Sequence, residues 1–207
     1  SKLWVESRIR KALNNYKGNV FFTEHHYSHA ASAYFCSDFD EAVVVTMDGV
    51  GEFDSTTFGY GKGNKLKLSH AIEFPSSLGL FYSALTYYLG FKVNSAEYKV
   101  MGLAPYGDPD KYYDKFKELM DIKGDGSVSL NMKYFSYEYG LRMTNKKFDE
   151  LFGGPARKPE SPLTQKEKDI AATLQKVTNE VVLKIVDYAR SVYPSKNLCL
   201  AGGVALN

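Results

Sequence analysis

The chain has 207 residues, 44% of them hydrophobic and 24% charged, enough to bury a sizeable core in one or two domains. A net charge of +2, with no Lys/Arg cluster, argues against a dedicated nucleic-acid surface. No apolar run approaches a membrane span and no signal peptide precedes residue 20, so a cytoplasmic protein is expected.

The first element reads SKLWVESRIRKALNNY, where Val5, Ile9, Leu13 and Tyr16 recur at helical spacing. NVFFTE (19–24) reads as a short apolar strand leading into HHYSHAASAY, an Ala- and Ser-rich helix. EAVVVTMD (41–48) is a β-branched run, the pattern of a buried strand, and it ends on Asp48. The segments 55–63 and 65–74 alternate around Gly63-Asn64, which predicts a hairpin and a mixed sheet. A helix follows over 76–91, capped by Ser77, striped by Leu78, Phe81, Leu85 and Leu89, and ended by Gly90.

NSAEYKVMGLAPYG (94–107) starts as a helix and is stopped by Pro105 and Gly107. DPDKYYDKFKELM carries Asp-Pro where a helix usually opens. DIKGDGSVSLN lacks the alternating ligands and terminal Glu of a calcium loop, and reads as a polar hairpin turn. The region 131–163 is irregular, with GGPARKPESP as an exposed loop between subdomains of about 1–130 and about 131–207. Thr164 and Glu167 then form a capping box. Ile170, Leu174, Val177, Val181, Ile185, Tyr188 and Val192 hold one face of a long helix. That helix delivers the chain to NLCLAGGVALN, a strand running into a glycine turn. Both ends read as cut, so the chain is expected to be a fragment. Cys36 and Cys199 stand in apolar contexts and read as buried thiols of a reducing compartment.

His25 and His29 stand four apart, so both imidazoles project from one helix face. Asp48 falls at the carboxyl end of a strand, where open α/β sheets place their ligands. Two imidazoles and a carboxylate suit a divalent transition metal with open positions. A core helix with satisfied histidines beside a strand-end Asp is the other reading. Three further motifs carry potential chemistry. In DGVGE (48–52) two glycines follow the acid, allowing backbone amides to approach a phosphate or a metal-bound ligand. In EYKVMGLAPYG (97–107) Glu97 and Lys99 precede a glycine-containing helix end. In LAGGVALN (200–207) Gly202 and Gly203 allow close backbone approach. Each also has a plain structural reading as a turn or a solvated helix face.

In combination, HHYSHAASAY, VVVTMDGVGE, EYKVMGLAPYG and LCLAGGVALN, in that order, resemble the carbamoyltransferase family of nodulation-factor and antibiotic O-carbamoyltransferases. The resemblance covers nearly the whole chain. It implies an α/β, actin/Hsp70/sugar-kinase-like (ribonuclease H-like) fold with a mixed sheet flanked by helices, incomplete at both ends. It also implies a metal, usually iron in relatives, on His25, His29 and Asp48. Gly202, Gly203 and Asn207 match the segment that approaches the adenylate, and the shared Glu97-Tyr98-Lys99 motif implies a place near the substrate, with Lys99 as its cofactor-binding candidate.

Relatives make carbamoyl-adenylate from carbamoyl phosphate and ATP in a carboxyl-terminal domain. The kinase-like domain then passes the carbamoyl group to a hydroxyl of a small-molecule acceptor. The chain by itself is therefore expected to have no turnover, since the phosphate loop, a later acidic metal ligand and the adenylating domain lie outside it. The alternatives are a nucleotide-binding structural module without turnover and threonylcarbamoyl transfer to tRNA. The near-neutral charge and the HAASAY and EYKVMGLAPYG wording speak against the second.

Overall fold

The computed structural model describes residues 4–207. Val5–Ala12 form helix α1 and His25–Tyr34 form α2. The β-branched run becomes strand β1 (Glu41–Met47), and the hairpin β2 (Asp54–Lys62) and β3 (Lys65–Glu73) turns at Gly63-Asn64, with Gly63 at φ 56°. Helix α3 (Leu78–Tyr88) opens on Ser77, whose hydroxyl accepts from Leu80 N, and Gly90 follows its end at φ 76°. Next come α4 (Glu97–Leu103), α5 (Tyr113–Leu119) and a small hairpin of β4 (Met120–Ile122) and β5 (Val128–Leu130). Helix α6 (Lys146–Leu151) precedes α7 (Gln165–Val192), which starts on the Thr164/Glu167 capping box and leads to β6 (Leu198–Ala201).

The main sheet has the order β3-β2-β1-β6. The β1–β2 and β2–β3 pairs are antiparallel, and β1–β6 is parallel, with Thr46 opposite Ala201. Successive side chains of a strand point to opposite faces. Val43, Val45 and Met47 therefore enter the main core with Phe81 and Leu85 of α3 and Ile170, Leu174, Val177, Val181 and Ile185 of α7. Ala42 and Val44 pack on the other face against Ala30 and Tyr34 of α2 and Cys199. Helices thus flank the mixed sheet on both sides. Truncating a side chain such as Leu174, fully buried in this core, to Ala would cost about 2–5 kcal/mol.

Several expectations are corrected. Residues 19–24 form no strand: no ladder of the described sheet takes them as a partner, and Phe21 and Phe22 are 87% and 64% exposed. The helical spacing read from residue 5 holds only to Ala12, so Leu13 and Tyr16 lie beyond the end of α1. Asp108-Pro109 forms a turn, and α5 begins only at Tyr113. Residues 131–163 are not simply a loop. They contain α6, capped by Asn145, and supply Tyr134, Phe135, Phe148 and Phe152 to the same core that β1 and α7 share. Arg157 of the glycine- and proline-rich stretch is tied down, donating to Leu89 O at 2.6 Å. Cys199 is buried, but Cys36, just past the end of α2, is exposed. Tyr188 is 37% exposed although it continues the apolar stripe of α7.

Candidate metal centre

Helix α2 begins at His25, so His25 and His29 lie one turn apart, and Asp48 is the first residue after β1. The three side chains converge. His25 Nε2 is 2.8 Å from Asp48 Oδ2, His29 Nε2 is 3.1 Å from the same oxygen, and the two nitrogens are 3.0 Å apart. Among the described residues this is the group whose ligand atoms could hold a metal ion.

Hydrogen bonding alone leaves this triangle unsatisfied. Each Nε2 carries at most one proton and an ionised Asp48 only accepts, so at most two protons serve three edges. A central cation engages all three lone pairs together. Donors about 2.1 Å from an ion stand about 3.0 Å apart at right angles and about 3.4 Å apart at tetrahedral angles. The sides of 2.8, 3.1 and 3.0 Å are short enough for one ion to reach all three donors.

Asp48 is held in place by its neighbours. Gly49 N donates to Oδ1 at 2.8 Å, which leaves Oδ2 to the imidazoles. Burial opposes its ionisation, but hydrogen bonds from His25, Gly49 N and His29 outweigh burial and hold the carboxyl below its ordinary value. Ser77, the cap of α3, donates to Gly49 O and so fixes the turn after β1. In the DGVGE turn Gly51 N donates to Asp54 O at 2.7 Å, and the Glu52 carboxylate accepts from His25 N at 3.1 Å, tying the turn to the start of α2.

His26, between the two candidate ligands, does something different. It is buried, and its Nε2 lies 2.8 Å from the Asp54 carbonyl, which can only accept. Nε2 therefore carries the proton, and Nδ1 accepts from Thr46 Oγ1 at 2.6 Å. Thr46 in turn accepts from Thr57 Oγ1 at 2.7 Å. Burial, the largest influence, pushes the His26 imidazole down and keeps it neutral. Reading the sequence for i,i+4 pairs passes over His26. Its signal is that residues 26, 30 and 34 form the buried stripe of α2.

The parallel pairing of β1 and β6 brings Gly202 beside the end of β1. Gly202 sits at φ 94°, and a Cβ there would collide with the Met47 carbonyl. A Cβ on Gly203 would stand 3.1 Å from Asp48 Oδ1. The chain continues as a 3-10 turn, Gly203–Leu206, to Asn207, whose amide pairs with Gln175 of α7 at 2.6 and 3.2 Å. Asp48, Gly49, Tyr82, Glu97, Gly203 and Asn207 are among the residues that line one cleft of ≈ 480 Å³. Lys99 is exposed on α4 and is not among them, whereas Glu97 of the same motif is.

Residues 3–207 match the family model described as Carbamoyltransferase N-terminus. The chain belongs to the carbamoyltransferase family. An uncharacterized protein of Synechocystis sp. is 56% identical over 100% of this chain and 35% of its own length. Nodulation protein NolNO of Sinorhizobium fredii is 35% identical over 91% of the chain and 26% of that protein. Nodulation protein NolO of Bradyrhizobium diazoefficiens is 35% identical over 88% of the chain and 31% of that protein. The carbamoyltransferase-family chain therefore spans 26–35% of the length of these relatives. No helix among its described residues is long and apolar enough to cross a membrane.

Proposed function

We propose that the chain is the kinase-like part of an O-carbamoyltransferase, which moves a carbamoyl group from carbamoyl-adenylate to a hydroxyl of a sugar-like or natural-product acceptor. The observation that carries this reading is that Asp48, which joins His25 and His29 in the triangle, also lines the cleft with Gly203, although the two histidines themselves do not line it. The strand order β3-β2-β1-β6, antiparallel and then parallel, supports an actin/Hsp70/sugar-kinase-like, ribonuclease H-like fold. The carbamoyl-adenylate would be made from carbamoyl phosphate and ATP by a further domain of the whole protein. A cytoplasmic location suits both of those substrates.

His25, His29 and Asp48 would hold a divalent transition metal, and imidazole nitrogen with carboxylate oxygen suits iron or zinc better than magnesium. When bound, the ion supplies Lewis-acid polarisation of a carbamoyl or phosphoryl oxygen. The chain's own residues do the rest. Gly49 N keeps Oδ1 engaged so that Oδ2 faces the imidazoles. Gly202 and Gly203 keep the backbone bare where the adenylate approaches. Asn207, held by Gln175, presents an oriented amide at the same end. Tyr82 and Met101 give the cleft an apolar wall on which an activated carbamoyl group would be partly shielded from water.

The test is incubation of the full-length protein with carbamoyl phosphate, ATP and a panel of sugars and natural-product alcohols, with products read by mass spectrometry. Carbamoylated acceptor from the wild type and none from Asp48→Ala is the expected result. ATP binding with no transfer to any acceptor would instead favour a nucleotide-binding module without turnover.

A further inference from the structure

An acceptor hydroxyl is a weak nucleophile, and its attack on a carbamoyl carbon needs a group to take the proton. Four ionisable side chains line the cleft: Asp48, Tyr82, Glu97 and Tyr98. Asp48 is engaged by two imidazoles. Burial, with the charge of Glu97 adding to it, pushes the Tyr82 phenol up and keeps it protonated. Tyr98 is a phenol that is 61% exposed. That leaves Glu97.

The local structure positions Glu97 well for such a role. Its Oε1 accepts from Asn94 N at 2.7 Å and from Ser83 Oγ at 3.3 Å, so the carboxylate plane is fixed between α3 and α4. Asn94 itself adopts φ 62°, a left-handed conformation that asparagine tolerates. Oε2 makes no hydrogen bond or ion pair among the described residues. One oxygen is thus anchored and the other is available at the cleft wall.

We propose that Glu97 is the general base of carbamoyl transfer. The proposal rests on the function proposed above. The acceptor oxygen forms a bond to the carbamoyl carbon while the bond from that carbon to the adenylate phosphate oxygen breaks. The hydroxyl proton passes to Glu97 Oε2, AMP leaves with the electron pair, and the proton is then lost to solvent. No oxidant or reductant is involved.

Glu97→Gln keeps Oε1 as an acceptor for Asn94 and Ser83 while removing the basic oxygen. The variant is made in the full-length protein, with circular dichroism as the check that it folds. Its kcat for acceptor carbamoylation should fall by about 10²–10⁴-fold, with little change in the acceptor KM. The deficit should shrink along a series of acceptors with increasingly acidic hydroxyls, a trend that a merely structural role would not produce. Undiminished kcat in Glu97→Gln, or a loss independent of acceptor acidity, overturns the role of Glu97 alone. No carbamoylated product from the wild type overturns the transferase reading and this role with it.

Discussion

Gly203 lies against the carboxylate of Asp48: a side-chain carbon added at residue 203 would stand 3.1 Å from Oδ1. Gly49 N already fixes that oxygen from the other direction at 2.8 Å, so Asp48 has little room to yield. Gly203→Ala should therefore push Oδ2 out of the imidazole triangle. We expect metal affinity to fall by about 10–100-fold, as for other groups that orient a ligand, with the unfolding midpoint of the metal-free protein nearly unchanged. Competition with a metal-sensitive dye would measure it. Wild-type affinity in the variant would show that Asp48 is freer than its contacts imply.

Gly202→Ala should act on folding instead. A residue with a Cβ is strained at φ 94°, and here it also meets the Met47 carbonyl. A loss of about 1–3 kcal/mol or more is expected by urea denaturation.

The metal prediction uses elemental analysis of full-length protein. Bound transition metal should be present in the wild type and lost in His25→Ala, His29→Ala and Asp48→Ala. Occupancy should also weaken on acidification, because each imidazole must be neutral to ligate. Stoichiometric metal in all three variants would sink the assignment.

Glu180 links α5 to α7 by accepting from the Tyr113 hydroxyl at 2.7 Å and from Lys184 Nζ at 2.9 Å. Those hydrogen bonds, Tyr113 first, hold its carboxyl below the ordinary value. A carboxyl depressed in the folded state adds stability above its unfolded value of about 4.3, and loses it as the pH falls through the folded value. Glu180→Gln should cost about 0.5–1.5 kcal/mol near pH 7, kept small by solvent screening. The gap between wild type and variant should close as the pH drops below that range. A gap that persists in strong acid would mean that the charge contributes nothing.

The buried polar chain can be tested by a double-mutant cycle on His26→Leu and Thr46→Val. Each single change strands a buried partner, so each should cost about 1–3 kcal/mol. The two should couple by about 0.5–3 kcal/mol, and additivity would argue against a shared network.

Local chemistry was legible wherever it acts at short range. Gly63-Asn64, the Ser77 cap, the Thr164/Glu167 box and the i,i+4 histidines each depend on residues within a turn of one another. What misled was dependence on distant partners. NVFFTE has strand composition, but a strand needs a ladder to join, and none of the described strands provides one. Helix α6 is six residues long, too short for a periodic stripe, and only Asn145, whose side chain accepts from Lys147 N and Phe148 N, could have announced it. The cleft is assembled from residues as far apart as 48 and 207, so the EYKVMGLAPYG motif alone could not tell that Glu97 and Tyr98 line it and Lys99 does not.

His26 has one more consequence. Sliding β1 by one residue against its neighbours would swap its two faces. Thr46 would then enter an oily core, and Met47 would confront an imidazole that needs a hydroxyl. The His26–Thr46–Thr57 relay thus works as a locating dowel: only one seating of the strand lets it close, and that seating sets Asp48 opposite the two outer histidines. The middle histidine of the trio is not one of the candidate metal-binding residues, yet it checks the alignment of the other two.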